Sequence, residues 1–461
     1  AACDQDRLVA NIYGLLHVCS PEYRRLFVRM ACVKQKSCHS NSAGLQIACS
    51  SVFASLMTVY GHTMQKIPYG KQQISDTDLQ AVVDVLRSDF LTQGPVVPAF
   101  EAAVATHCHA RHGVAVSNAT AGLHLACLTL GLGPGDMLWT SAITFVASAN
   151  CALYCGAQVD FVDIDARSFN MCPIELEKKL VIAERLGRLP KIVVPVHMCG
   201  QPCDMQAIHA LSLKYGFKII EDASHAIGAR YQREPVGNGR YSDLTVFSFH
   251  PVKIITTGEG GMVLCNNAEY AQSLNRLRSH GISSHSYDME KRPAEEIWNY
   301  QQLQLGFNYR MTEMQAALGL SQLKQLDAFV LKRHALATVY DKALQDLSLI
   351  TPWQHPDSYS SYHLYAVLIP KTDDGPSQRQ VYRAMHKAGI QVNLHYIPVY
   401  LQPFYAAMGF KRGYCPKAES YFKQAISLPL HTGLTAEQQL FVNSQVLRLL
   451  KTEKQTTAVP A

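Results

Sequence analysis

No apolar run in this 461-residue chain reaches the ~18 residues that a membrane-spanning helix requires. A clean secretory signal is also missing, because charges break the apolar patches of residues 1–63 and no small-residue cleavage site follows. The chain has no basic stripe. Its net charge is only +6, and residues 1–63 alone hold six Lys/Arg against three acids. The rest is nearly balanced, which argues against a nucleic-acid footprint. Internal repeats and low-complexity tracts are absent as well. The fourteen cysteines do not call for a disulfide scaffold, since a chain of this length can build a core without staples. Several sit in core-like elements (Cys127, Cys151, Cys265), where a free thiol packs as a small hydrophobe. A reducing, cytoplasmic setting is the expectation, without membrane or nucleic-acid partners.

What is present is an orderly alternation that begins at Met64. Residues 1–63 hold five of the cysteines and no sustained period. They read as an atypical leader, either read-through sequence ahead of a natural start at Met64 or a genuine extra segment. Ser75-Asp-Thr-Asp-Leu opens a capped helix. Strand-like runs follow at 113–117, 137–140, 159–162, 192–196, 218–221, 244–249 and 262–265, with helical patterns such as 121–130 and 205–215 between them. Continuous apolar strands alternating with helices predict an α/β fold with a mostly parallel seven-stranded sheet, covered on both faces. Residues 311–343 read as one long helix. Segments 362–369, 391–393 and 437–450 suggest a smaller α+β domain. The division expected is 1–63 leader, 64–325 large domain and 326–461 small C-terminal domain, with a polar, frayed tail after 450.

One lysine stands out by its surroundings. Lys253 follows the apolar run of Phe247-Ser-Phe-His-Pro-Val-Lys253 and precedes a Gly258-Glu-Gly-Gly261 turn, after which a second strand begins. Upstream, Asp222 emerges from a buried strand in Ile219-Ile-Glu-Asp222-Ala-Ser-His225. An amine able to form a Schiff base, with an acid placed to pair a pyridinium nitrogen, is the protein half of pyridoxal-phosphate chemistry. Ser117-Asn-Ala-Thr120-Ala121-Gly122 follows a strand and opens a helix, a place for a phosphate. Ser248 and Asn308 are further phosphate candidates. Phe145, shortly after another strand, offers a ring for stacking.

Together these segments resemble the DegT/DnrJ/EryC1/StrS sugar aminotransferase family over about residues 67–450. The resemblance implies a fold-type-I pyridoxal 5'-phosphate (PLP) transferase acting on nucleotide-linked keto sugars. It implies Lys253 as the Schiff-base lysine, Asp222 as partner of the pyridine nitrogen and His225 beside the phenolic oxygen. It further implies Phe145 as the stacking ring, and Thr120, Ala121 and Ser248 as phosphate contacts. Asn308 would reach the phosphate from the neighbouring subunit of a homodimer with shared active sites. The deoxygenating branch of the family has histidine in place of Lys253, so transamination is favoured over dehydration.

The phrases Ile67-Pro-Tyr-Gly-Lys-Gln, Val392-Asn-Leu-His395-Tyr-Ile-Pro and Cys415-Pro-Lys-Ala-Glu carry a narrower resemblance. It implies a UDP-linked 4-keto-6-deoxy-N-acetylhexosamine as acceptor, L-glutamate as donor, and a place in pseudaminic acid biosynthesis. Alternatives are another nucleotide-linked keto sugar, or a non-catalytic PLP-binding regulator. His395 is the stronger candidate for substrate contact, and His280 the weaker. No metal site is expected: the letters of His107-Cys-His109-Ala-Arg-His112 scatter around a helix end, whereas structural zinc needs four converging ligands. Cys199-Gly-Gln-Pro-Cys203 has three intervening residues rather than the redox spacing of two.

Overall fold

Seven short strands form the central sheet: β1 (His112–Val116), β2 (Met137–Ser141), β3 (Gln158–Val162), β4 (Ile192–Val194), β5 (Lys218–Asp222), β6 (Leu244–Ser248) and β7 (Gly261–Cys265). Their order is β1-β7-β6-β5-β4-β2-β3. The pairs β2–β3, β2–β4, β4–β5 and β5–β6 are parallel, and β7 alone runs against its neighbours β1 and β6. The protein is seen here as a computed structural model that describes residues 66–450, apart from 286, 287, 292, 294, 297 and 374. The expectations for the leader 1–63 and for the tail after 450 lie outside the described residues.

Burial on both faces explains why the strands read as unbroken apolar runs rather than alternating ones. Neighbouring side chains on a strand point to opposite faces. Leu138 and Ile220 therefore join the cluster containing Leu123, Leu125 and Ala149, from helices α3 (Ala119–Thr129) and α4 (Ala147–Tyr154). Trp139 and Ile219 join the opposite cluster, with Leu180 and Ile208 from α5 (Pro173–Arg185) and α6 (Met205–Tyr215). Ahead of the sheet lie α1 (Asp76–Leu86) and α2 (Val96–His107). Ser75 caps α1 as expected, in a reciprocal capping box with Asp78.

After α7 (Ala268–Arg278), the stretch expected as one helix is two: α8 (Glu313–Leu323) and α9 (Leu326–Leu344). Neither proline nor glycine marks the break. Ala316 of α8 packs with Phe100 of α2, and Leu326, Phe329 and Val330 at the start of α9 join the same cluster. Further along α9, Leu336 and Tyr340 enter a second, C-terminal core. That second core is built around the antiparallel strands β8 (Tyr365–Leu368) and β9 (Ala425–Leu428), with α10 (Gln378–Lys387) and α11 (Ala436–Leu450).

Candidate active site

The carboxyl ends of β1, β2, β5 and β6 open into one cavity of 940 Å³, where ligands bind in open α/β sheets. Each strand delivers a different chemistry. Past β1 come Asn118, Thr120 and Ala121, at the N-terminus of α3. Past β2 come Thr144 and Phe145, just before α4. Asp222 ends β5, and Ser248 ends β6. Lys253 follows in a turn closed by its own N–H donating to the His250 carbonyl at 2.9 Å. The glycines after it have a steric reason. A Cβ on Gly261 would come within 2.7 Å of the Asn118 backbone, so only glycine lets β7 start this close to the head of α3.

Asp222 is buried, yet no cation lies within ion-pair distance among the described residues. Hydrogen bonds hold it instead. Its Oδ2 accepts from the Ser148 hydroxyl at 2.6 Å, and its Oδ1 accepts from the Ser224 N–H at 3.1 Å. Ser148 in turn lies 2.7 Å from the Thr144 hydroxyl. Lys253 is pushed down to about 8 by burial, which disfavours the ammonium, and the nearby Asp222 carboxylate only partly offsets this.

His225 is held well below the ordinary imidazole range by burial, then by Lys253 and His395. Its Nε2 is 3.2 Å from the Tyr396 hydroxyl, and its buried Nδ1 has no partner among the described residues. His395 is pushed down to about 3 by burial and then by Lys253. Its Nδ1 meets the Ser427 hydroxyl at 2.8 Å. Both imidazoles are thus neutral hydrogen-bonding groups. Phe145 is 57% exposed although it lines the cavity, leaving an apolar face open to a flat ring.

Of the residues singled out in the sequence, Lys253, Asp222, His225, Phe145, Thr120, Ala121, Ser248 and His395 all line this cavity. The N–H of Ala121 is taken by the Asn118 side chain at 2.8 Å. The donors left at this end are the first-turn amides of Ala119 and Thr120, with the hydroxyls of Thr120 and Ser248. His280 and Asn308 are exposed and do not line the cavity. Asn308 instead bridges Ser279. Sequence reasoning passed over Tyr69, His124, Ser148 and Tyr396. Ser148 had a local signal, its spacing of four from Thr144, but Tyr396 meets His225 across 171 positions.

These groups fit PLP: an amine biased toward neutrality, a carboxylate held by one hydroxyl and one backbone N–H, a helix N-terminus for a phosphate and an open aromatic face. Fold and site together define a lysine-centred enzyme of the PLP type. Over residues 72–447 the chain matches the model of the DegT/DnrJ/EryC1/StrS aminotransferase family, and it belongs to that family. It is 36% identical to the spore coat polysaccharide biosynthesis protein SpsC of Bacillus subtilis, over 80% of this chain and 93% of that one. It is 34% identical to the UDP-4-amino-4,6-dideoxy-N-acetyl-beta-L-altrosamine transaminase of Campylobacter jejuni, over 84% of this chain and 98% of that one.

Among solved structures, Helicobacter pylori PseC, an aminotransferase involved in pseudoaminic acid biosynthesis, superposes with a TM-score of 0.75 at 30% identity. That match covers 84% of this chain and 99% of PseC. A putative sugar aminotransferase of Streptococcus pneumoniae, solved in its PLP form, superposes with a TM-score of 0.74 at 28% identity. It covers 84% of this chain and all of that one. The protein is a PLP-dependent sugar transaminase, with a sugar substrate and an amino donor. Among the described residues, no helix is long and apolar enough to cross a membrane.

Proposed function

We propose that the chain moves the amino group of L-glutamate to C4 of a UDP-linked 4-keto-6-deoxy-N-acetylhexosamine, a step of pseudaminic acid biosynthesis. The observation that carries the aminotransferase chemistry is the meeting of Lys253 and Asp222 in one cavity at the strand ends. The Campylobacter transaminase and PseC support the choice of sugar. When bound, PLP supplies an electron sink for negative charge at the donor's α-carbon.

The chain's residues do the rest. The Lys253 amine, eased toward neutrality by burial, would hold the cofactor covalently and, once displaced by the donor's own amine, would take the proton from the donor's α-carbon. Asp222 keeps the cofactor's ring nitrogen protonated. His225, neutral and beside Tyr396, hydrogen-bonds the phenolic oxygen. Phe145 stacks on the ring, and Thr120, Ser248 and the head of α3 hold the phosphate. His395 contacts the sugar. Asn308, exposed on its own chain, reaches the phosphate of a second copy in a two-fold dimer, the commonest closed assembly. The nine described cysteines are free thiols, which supports a cytoplasmic setting.

The test is to incubate the PLP-loaded protein with L-glutamate and the UDP-linked keto sugar, and to follow both by mass spectrometry. A UDP-amino sugar in which an amino group and a hydrogen have replaced the keto oxygen at C4, with 2-oxoglutarate, is expected. Turnover of a different nucleotide-linked keto sugar, with this one untouched, would overturn the substrate assignment and leave the aminotransferase intact.

A further inference from the structure

We propose that Ser148 and Thr144 are positioning residues of the reaction, a directed hydroxyl chain that holds and aims the Asp222 carboxylate. This rests on the reading of Asp222 given above. The direction of the chain follows from valence. An ionised carboxylate only accepts, so the Ser148 hydroxyl, 2.6 Å from Asp222 Oδ2, must donate to it. That leaves Ser148 with acceptor capacity alone, so the Thr144 hydroxyl, 2.7 Å away, must donate to Ser148. Hydrogen bonds to an ionised acceptor are the strong ones, and a donor that is itself polarised strengthens them further.

The surroundings leave the pair little other work. Both side chains are buried, at 0% exposure for Ser148 and 2% for Thr144, and neither hydroxyl is bonded to another side chain. The chain replaces the cation that a buried carboxylate normally requires. It also fixes geometry. With Oδ2 held by Ser148 and Oδ1 by the Ser224 N–H, the carboxylate cannot rotate away, and its remaining acceptor capacity faces the cavity. Phe145 sits on the same turn, between Thr144 and Ser148. One local structure therefore sets both the ring face and the acid's support. Loss of the outer partners of metal ligands commonly costs about 10–100-fold in affinity or activity, and a loss on that scale is expected here by analogy.

The experiment compares Ser148→Ala, Ser148→Thr, Thr144→Val and Asp222→Asn in three readouts. These are the affinity of the cofactor-free protein for PLP, the ¹⁵N chemical shift of ring-labelled bound PLP across pH, and the split of kcat from KM. In wild type the ring nitrogen should stay protonated throughout the stable range. Ser148→Ala should bring its titration into that range, weaken PLP affinity and lower kcat about tenfold or more with KM for glutamate little changed. Thr144→Val, nearly isosteric, should shift the same readouts in the same direction by less. Ser148→Thr, which keeps the hydroxyl, should recover most of the loss. If Asp222→Asn deprotonates the ring nitrogen while Ser148→Ala and Thr144→Val leave the shift and kcat at wild-type values, the hydroxyl chain is refuted and the Asp222 reading survives. If Asp222→Asn itself leaves the nitrogen protonated, the underlying reading fails instead.

Discussion

Along β5, Glu221 and Asp222 stand side by side, point to opposite faces of the sheet and meet opposite surroundings. Glu221 is closed in. Its oxygens meet His197 Nε2 at 2.7 Å, the Thr245 hydroxyl at 3.1 Å and the Ser242 hydroxyl. Because His197 Nδ1 accepts the Cys203 N–H at 3.1 Å, its Nε2 carries the proton and donates to Glu221. Burial works against the charge on Glu221, but these donors, His197 foremost, outweigh it and hold the group below the usual carboxylate range. Asp222 is as deeply buried, but it is met by two donors and opens on a 940 Å³ cavity. Two carboxylates on one strand therefore differ in how far donors fill them and in whether the large cavity is within reach, with three donors on Glu221 and two on Asp222.

The sharpest way to test this contrast begins at the lysine. Lys253→Ala should abolish turnover while leaving non-covalent PLP binding, seen as loss of the lysine-linked visible band. Asp222→Asn should keep the fold and lose about 10²–10³ in kcat, the scale of one preorganised electrostatic contact. An Asn variant with unchanged kcat would break the contrast outright. Glu221→Gln should do the reverse. Its kcat should stay within a few-fold, while stability falls by about 1–3 kcal/mol as one buried hydrogen bond is lost; thermal unfolding would report this as a few degrees.

A pH dependence should appear in the cofactor-free protein. Lys253 is at about 8 in the fold against an ordinary 10.5, so the unfolded chain binds the extra proton between those values. Stability relative to Lys253→Met should therefore rise with pH from about 8 to 10.5, and be flat on either side. A difference that stays flat across that window would mean the amine is not desolvated, and one that falls would mean the fold favours the ammonium.

How much of this was legible in sequence depends on distance along the chain. The seven strands were readable within a residue or two because burial on both faces writes them as apolar runs. Lys253 and Asp222 were readable because each ends or follows such a run. Ser148 lay inside a segment already singled out for Phe145. Its partner Asp222 is 74 positions away, and nothing local announces the contact. Tyr396 stood beside the residue chosen, His395, and owes its place to packing against His225 across the fold. The break between α8 and α9 left no mark either, because no proline or glycine stands at Lys324 and Gln325. His280 and Asn308 were also singled out in the sequence, and the cavity does not contain them.

The measurement that bears most directly on the central claim is borohydride reduction of the PLP-loaded protein followed by peptide mapping. The expected result is a single adduct on Lys253, lost when L-glutamate is added before the reductant. An adduct on another lysine, or one on Lys253 that glutamate does not prevent, would contradict it.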